Sequence, residues 1–189
     1  MHAIQLIETG GPEVMRWIEL PTPAPGRGEV LVRIEAAGVN FIDVYFRKGL
    51  YRMPLPGILG VEGAGLVEQL GSDVTTFRVG DRVAWSDRAG VGVVGGTYAT
   101  HVVVPAARAV AVPAEVEARV AAASMLQGMT AHYLCHSTFV LREGHTCLVH
   151  AAAGGVGLLL CQMARKAGAR VIGTVSTEAK AVLAREAGA

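Results

Sequence analysis

A glycine-rich segment near the C-terminal end of the chain gives the clearest chemical signal. Residues 152–157 read AAGGVG, which keeps the second and third glycines of the pattern G-x-G-x-x-G and has alanine at the first. In that pattern the second glycine lets backbone amides approach a pyrophosphate, and the third lets a helix pack closely on a strand. We therefore predict these two roles for Gly154 and Gly157.

The side chains that follow the next predicted strand indicate which dinucleotide would bind. Enzymes that prefer NAD place an acid there for the ribose 2′-hydroxyl. Here Val175 stands at that position and is followed by Ser176, Thr177 and Lys180, whose hydroxyls and positive charge suit the 2′-phosphate of NADPH. Two alternatives stay open: Glu178 could turn toward the ribose, or the two hydroxyl residues could simply cap a helix.

The elements predicted around the glycine-rich segment form a crossover unit. We predict strands over residues 146–151 and 170–176, each followed by a helix, over residues 156–167 and 177–187. This β-α-β-α order is typical of the first part of a Rossmann domain, a doubly wound parallel sheet. Because two strands are less than half of such a sheet, we expect a truncated chain. A glycine-rich turn without a ligand and another adenosine-binding protein, such as a methyltransferase, are the alternatives.

The N-terminal part is predicted to be a β-rich domain. Short strands separated by Gly, Pro and Asp turns favour a compact, barrel-like arrangement. The clearest alternation places Val30, Val32 and Ile34 on one face of a strand. The predicted strands are residues 2–6 and 14–19, paired as a hairpin, and residues 29–35, 60–70, 80–84 and 98–104.

The pattern becomes helical after Pro113. We predict helices over residues 114–123 and 127–138. The predicted domains are therefore residues 1–113, the β-rich domain, and residues 114–189, the start of the nucleotide-binding domain.

The composition of the chain indicates which classes of partner it can bind and in which cellular compartment it is expected. The 189 residues are 51% hydrophobic and 17% charged with a formal net charge of +1, which excludes disorder and gives no basis for binding nucleic acid or an acidic membrane. Three cysteines without a C-x-x-C spacing, Cys135, Cys147 and Cys161, favour buried thiols in a reducing compartment. The N-terminus has no signal-peptide pattern, and polar residues or paired glycines interrupt the uncharged stretches. We expect a cytoplasmic protein without a membrane span.

Motifs in order along the chain resemble those of one enzyme family. They are residues 10–14 (GGPEV), 38–45 (GVNFIDVY), 47–51 (RKGLY), 60–65 (GVEGAG), 80–83 (GDRV), 128–134 (GMTAHYL) and 150–157 (HAAAGGVG). Together they resemble the zinc-independent quinone oxidoreductases of the zeta-crystallin type, in the medium-chain dehydrogenase/reductase superfamily. The resemblance implies a GroES-like β-rich domain, a C-terminally truncated Rossmann domain, NADPH as cofactor, and quinones or enones as acceptors.

The resemblance also implies a set of site residues. Near the nicotinamide it places Asn40, Phe41, Ile42, Asp43 and Tyr45, with Thr130 and Tyr133 on the nicotinamide half of the cofactor. It places Gly155 and Val156 at the pyrophosphate, and residues 176–180 at the 2′-phosphate. Asn40 and Tyr45 are the candidate donors to the acceptor carbonyl. From the residues alone, Asn40 could equally be a turn residue and Tyr45 a packing aromatic.

A catalytic metal is not expected. Catalytic zinc needs three protein ligands, but this chain has Gly60-Val61-Glu62 where zinc-dependent relatives carry Gly-His-Glu, and no cysteine precedes Cys135. His132 and His136 lie four residues apart, without a third ligand at a sensible spacing. We interpret all six histidines as non-ligands.

The expected function is NADPH-dependent, zinc-independent reduction of a small quinone or enone. One alternative is a truncated, non-catalytic NADPH-binding or structural homologue. Another is a zinc-free enoyl reductase, including a module of a larger synthase. A homodimer is expected for the full-length protein.

Overall fold

The computed structural model describes residues 1–86 and 96–189. By its internal contacts the chain divides into two compact units, Met1–Met125 and Leu126–Ala189. The division falls within a helix, whereas the sequence predicts the domain boundary after residue 113; that boundary stays a prediction.

The first unit contains two antiparallel sheets. Its described elements are β1 His2–Leu6, β2 Met15–Glu19, β3 Glu29–Ala37, α1 Phe41–Arg47, β4 Gly57–Ile58, β5 Glu62–Leu70, β6 Arg82–Ser86, β7 His101–Pro105 and β8 Val110–Ala111, with 3₁₀ turns at Pro12–Val14 and Ala106–Arg108. A five-stranded sheet has the order β7-β3-β5-β6-β8, and a three-stranded sheet has the order β2-β1-β4. The predicted hairpin is confirmed, since His2 pairs with Glu19 and Leu6 with Met15.

The core of this unit lies on one face of the five-stranded sheet. Val30 and Val32 are fully buried in it and Ile34 packs against it, as the alternation in β3 predicts. Leu31 is buried as well, on the opposite face of the strand. The alternation therefore identified one covered face but missed that the first half of β3 is covered on both. The buried cluster comprises Val30, Val32, Val67, Phe77, Val83, Trp85, Val102 and Val104.

The prediction of two helices after Pro113 is wrong. Residues 114–117 form a turn, and one helix, α2 (Ala118–Tyr133), runs on into a π-helical turn at Leu134–Thr138. No glycine or proline interrupts residues 123–127, and the Ser124 hydroxyl donates to the Val120 carbonyl oxygen at 2.7 Å, so this serine stays within the helix. Across residues 1–86 and 96–189, no helix has the length and apolar character needed to cross a membrane.

The second unit confirms the predicted β-α-β-α order. Strands β9 (Thr146–Val149) and β10 (Arg170–Gly173) pair in parallel, joined by helix α3 (Gly155–Lys166), and helix α4 (Glu178–Glu186) follows. Gly168 and Gly188 have φ of +80° and +112°, in the left-handed region where glycine commonly ends a helix.

Candidate functional site

The glycine-rich segment forms the turn between β9 and α3. Ala151 has φ of +51°, unusual for a residue with a Cβ, and reverses the chain after β9. Gly154 caps the helix, and its N–H donates to the Ala151 carbonyl at 2.8 Å. The next amides belong to the first turn of α3, where N–H groups have no partner within the helix and partial positive charge accumulates. This turn can therefore hold an anion.

The glycines of this turn have different surroundings. A Cβ on Gly157 would overlap the Ala151 carbonyl oxygen and lie 2.8 Å from the backbone of Ala152, so α3 packs directly on the turn there. A Cβ on Gly155 would overlap the side-chain amide of Gln127. At Gly154 the nearest atom is the Ala151 oxygen, at 3.1 Å, and the rest is open space. The structure thus fits the packing role predicted for Gly157 and leaves an approach open at Gly154.

A cavity of about 360 Å³ lies beside this turn. The turn and the end of β10 meet there because the Ala152 N–H donates to the Thr174 carbonyl at 3.0 Å. The cavity is lined by Ala151, Ala153, Gly154, Thr174, Val175, Ser176 and Lys180. Two segments that the sequence assigns to the pyrophosphate and to the 2′-phosphate of one dinucleotide therefore share one cavity.

Two polar side chains of this cavity, Ser176 and Lys180, lie just before and within the first turn of α4. The Lys180 ammonium donates to the Ser176 hydroxyl at 3.1 Å, which places a cation and a hydroxyl side by side. Thr177 is the N-cap and accepts the Lys180 backbone N–H at 3.3 Å, so the capping interpretation holds for Thr177. Glu178 accepts from Arg185 at 2.7 Å and does not line the cavity. The residues lining the cavity thus include one cation and no carboxylate.

Thr174 is a lining residue that the sequence reasoning missed. Its hydroxyl lies 3.1 Å from His150 Nδ1 and within reach of the Ala151 N–H, at 3.4 Å. The available signal was its position directly after β10, because ligands of parallel sheets bind beyond the carboxyl ends of the strands.

Thr130 and Tyr133 lie on α2 in the second unit and do not line this cavity. The Thr130 hydroxyl donates to the Leu126 carbonyl at 2.6 Å, and the Tyr133 side chain is about half exposed. Their predicted contact with the nicotinamide stays a prediction.

A second polar cluster lies inside the first unit, where α1 begins. Asn40 caps α1; its amide donates to Glu62 Oε1 at 2.7 Å and its backbone N–H to Asp43 Oδ2 at 2.8 Å. The Tyr98 hydroxyl donates to the same Asp43 oxygen at 2.9 Å. A Cβ on Gly38 would overlap the Glu62 carboxylate, so this glycine leaves the room that Glu62 occupies.

Burial controls the electrostatics of this cluster. Asn40, Asp43 and Glu62 are 7%, 3% and 1% exposed. Burial raises the pKa of Asp43 above its usual value, while the Asn40 N–H, the Tyr98 hydroxyl and the Gly60 N–H partly offset the rise. Burial and the neighbouring Asp43 carboxylate raise the pKa of Tyr98 strongly, so the phenol stays a hydrogen-bond donor.

The remaining predicted residues of α1 face outward. Phe41 is 77% exposed, and Ile42 and Tyr45 are half-buried. The Tyr45 ring lies 5.4 Å from that of Tyr51 in an edge-to-face arrangement and 6.0 Å from that of Phe41. Within the segment predicted to contact the nicotinamide, Asn40 and Asp43 therefore point inward, whereas the aromatic side chains are accessible.

Comparison with known proteins identifies relatives of the whole chain. The family model of the alcohol dehydrogenase GroES-like domain matches residues 26–114. A quinone oxidoreductase of Pseudomonas aeruginosa is 49% identical over 98% of this chain and 56% of the relative. The structure of Escherichia coli quinone oxidoreductase complexed with NADPH superposes with a TM-score of 0.94 at 42% identity, covering 100% of this chain and 57% of that one.

A relative with a different named activity matches over a similar span. It is a 2-haloacrylate reductase of a Burkholderia species, 42% identical over 95% of this chain and 54% of the relative. The chain thus spans little more than half the length of its relatives. The predicted fold class, a GroES-like β-rich domain followed by the first part of a Rossmann domain, is confirmed.

We expect Gly157→Ala to destabilise the second unit. The added methyl group overlaps backbone atoms of Ala151 and Ala152, and overpacking of this kind costs about 1–3 kcal/mol. Denaturant unfolding followed by circular dichroism measures the loss. The matched control is Gly154→Ala, whose methyl group meets one atom, the Ala151 oxygen at 3.1 Å, and whose unfolding free energy should stay within about 1 kcal/mol of wild type. Equal effects of the two substitutions would contradict this assignment.

Asp43 should make the first unit less stable as the pH rises. Its folded-state pKa lies above the unfolded value, so the native state binds more protons, and stability falls as pH increases from about 4 through the folded pKa. Asp43→Asn removes this titration and keeps the size of the side chain. Unfolding free energies measured from pH 4 to 7 should therefore shift in favour of the variant with rising pH. The assignment would be refuted if the difference in unfolding free energy between Asp43→Asn and wild type did not change with pH, or if it shifted in favour of wild type as the pH rose.

Proposed function

We propose that the chain belongs to the quinone oxidoreductases of the medium-chain dehydrogenase/reductase superfamily and serves NADPH-dependent reduction of quinones or related enones, as its similarity to such proteins supports. The observation that supports this most directly is the cavity shared by the glycine turn, Ser176 and Lys180. A dinucleotide phosphate presents two anionic groups, and this unit offers a helix N-terminus for each of them.

The fit to the 2′-phosphate rests on charge and hydrogen bonding. Lys180 and Ser176 place an ammonium and a hydroxyl within 3.1 Å of each other at the start of α4. Val175 lines the cavity where an acid would select NADH, and the acid nearby in the sequence, Glu178, accepts a hydrogen bond from Arg185. These residues favour NADPH over NADH.

The fit to the pyrophosphate rests on the turn before α3. Gly154 leaves open space in front of the first amides of the helix, which Gly155, Val156 and Gly157 supply. Partial positive charge at this helix end stabilises an anion. The cofactor's pyrophosphate would be held here by backbone groups.

When bound, NADPH supplies the hydride. The protein then has to hold the acceptor and polarise its carbonyl. Tyr45 is half-buried with an accessible neighbour in Phe41, and we propose its hydroxyl as a donor to the acceptor oxygen. Asn40, whose amide orientation is fixed by its bond to Glu62, is the second candidate donor. Water can deliver the protons that a reduced quinone needs.

We further propose that the reaction needs no zinc. Val61, at the position where zinc-dependent relatives carry histidine, is buried and cannot ligate a metal. The adjacent Glu62 accepts from Asn40. Hydride transfer in this protein would then depend on the nicotinamide and on protein hydrogen bonds.

The 2-haloacrylate reductase among the relatives favours a second candidate. Its name denotes reduction of an activated alkene, and a zinc-free enoyl reductase is the corresponding function for this chain. A non-catalytic NADPH-binding homologue is a third candidate, because the chain spans little more than half of its relatives.

The cofactor preference can be tested by calorimetric titration of the 189-residue chain. Lys180→Ala should weaken NADPH binding by tenfold or more, because a charge-assisted hydrogen bond contributes about 1.5–3 kcal/mol, and should change NADH binding less than twofold. Lys48→Ala, in the first unit, is the matched control and should bind NADPH like wild type. NADH binding equal to or tighter than NADPH binding in the wild-type chain would contradict the 2′-phosphate assignment.

The rate of NADPH oxidation with different acceptors distinguishes the three candidate functions: quinone reductase, enoyl reductase and non-catalytic homologue. NADPH oxidation is followed with 1,4-benzoquinone, an α,β-unsaturated ketone and 2-chloroacrylate, each with and without 1,10-phenanthroline. We expect the fastest turnover with the quinone and no effect of the chelator. Preferential turnover of 2-chloroacrylate would favour the alkene reductase, and binding of NADPH without any turnover would favour the non-catalytic homologue.

A further inference from the structure

Two histidine side chains lie next to each other where α2 continues into the π-helical turn. The ring centroids of His132 and His136 lie 4.6 Å apart with their planes inclined by 46°. Both side chains are exposed, so an ion can reach them from solvent. Two imidazoles at this separation on one helical face can ligate the same metal ion.

A third donor comes from another helix. A cavity of about 350 Å³ is lined by the two histidines together with Met163, Lys166 and Ala167 of the last turn of α3. Met163 is half-buried, and its thioether is a soft donor. The sequence alone could not show this, since Met163 lines the same cavity as the histidines only through the packing of α3 beside the π-helical turn.

The histidine pair lies at the π-helical turn Leu134–Thr138. π-Helical turns within helices are rare and frequently lie at functional sites. This one contains His136, and the α-helical residues before it contain His132. Neither residue has a part in the proposed reduction.

The electrostatics of the cavity favour a singly charged cation. α3 ends here, and the carbonyl end of a helix carries partial negative charge. The one formally charged lining residue is Lys166, whose ammonium opposes highly charged cations. Among the described residues, no group of three or more His, Cys, Asp and Glu side chains could hold a metal, so a harder divalent ion lacks its preferred donors.

We propose that His132, His136 and Met163 bind one Cu(I) ion. Imidazole and thioether are neutral donors suited to this soft, singly charged ion. The sequence-based interpretation of these two histidines as non-ligands considered only spacing along the chain. The proposal does not depend on the proposed reductase function.

The test is an anaerobic titration of the 189-residue chain with Cu(I) against the chromogenic chelator bathocuproine disulfonate. We expect one tightly bound Cu(I) per chain, and at least tenfold weaker binding in His132→Asn and in His136→Asn. Met163→Leu should weaken Cu(I) binding but not the weaker binding of Ni²⁺ to the histidine pair. Lys166→Met should strengthen Cu(I) binding. His2→Asn, at an exposed histidine of the first unit, is the control and should behave as wild type.

Thiols are the competing ligands, because Cys147 is only half-buried in the same unit. Cys147→Ser should leave the stoichiometry and affinity unchanged. Loss of Cu(I) binding in Cys147→Ser with normal binding in the histidine variants would assign the ion to the thiols and overturn the proposal. Absence of binding in the wild-type chain would overturn it as well. Circular dichroism and denaturant unfolding confirm that each variant is folded.

Discussion

The parallel pairing of β9 with β10 is the constraint on which the candidate cofactor site depends. Val149 pairs with Gly173, and beyond the strands the Ala152 N–H donates to the Thr174 carbonyl oxygen. This register places the glycine turn next to the start of α4. A shift of one residue would turn every side chain of β10 to the opposite face of the sheet. The register is maintained in turn by α3, which packs so closely on the turn that only glycine fits at position 157.

In the first unit, hydrogen bonds between buried polar groups hold the start of α1 in place. Asn40 donates to two acids, Asp43 through its backbone and Glu62 through its side chain. An unpaired buried carboxylate is costly, so these hydrogen bonds and that of Tyr98 fix where α1 begins. These bonds thereby hold the outward residues of the helix, Phe41 and Tyr45, in place. Rigid support of this kind is what the proposed reduction would need at its acceptor site.

The sequence predicted those features that depend on neighbouring residues. Periodicity and glycine positions were sufficient for the first hairpin and for the β-α-β-α unit. Residue types singled out Ser176 and Lys180, which line one cavity with the glycine turn; their role in cofactor binding stays a prediction. Features that depend on packing were missed. Leu31 is buried by the second covered face of β3, and the helix break expected near residue 124 does not exist. Met163 lines one cavity with His132 and His136 only because of helix packing. The sequence also could not predict which of Ser176 and Thr177 caps α4, because either hydroxyl could have been the cap. In the structure Thr177 is the N-cap.

The central claim is that one dinucleotide bridges the glycine turn and the start of α4. It is tested most directly by ¹⁵N–¹H NMR titration of the labelled chain with NADPH and with NADH. The account predicts that NADPH shifts the amide resonances of both segments, residues 154–157 and residues 176–180, whereas NADH shifts mainly those of the turn. Shifts confined to other parts of the chain, or identical shifts of residues 176–180 with both dinucleotides, would contradict it.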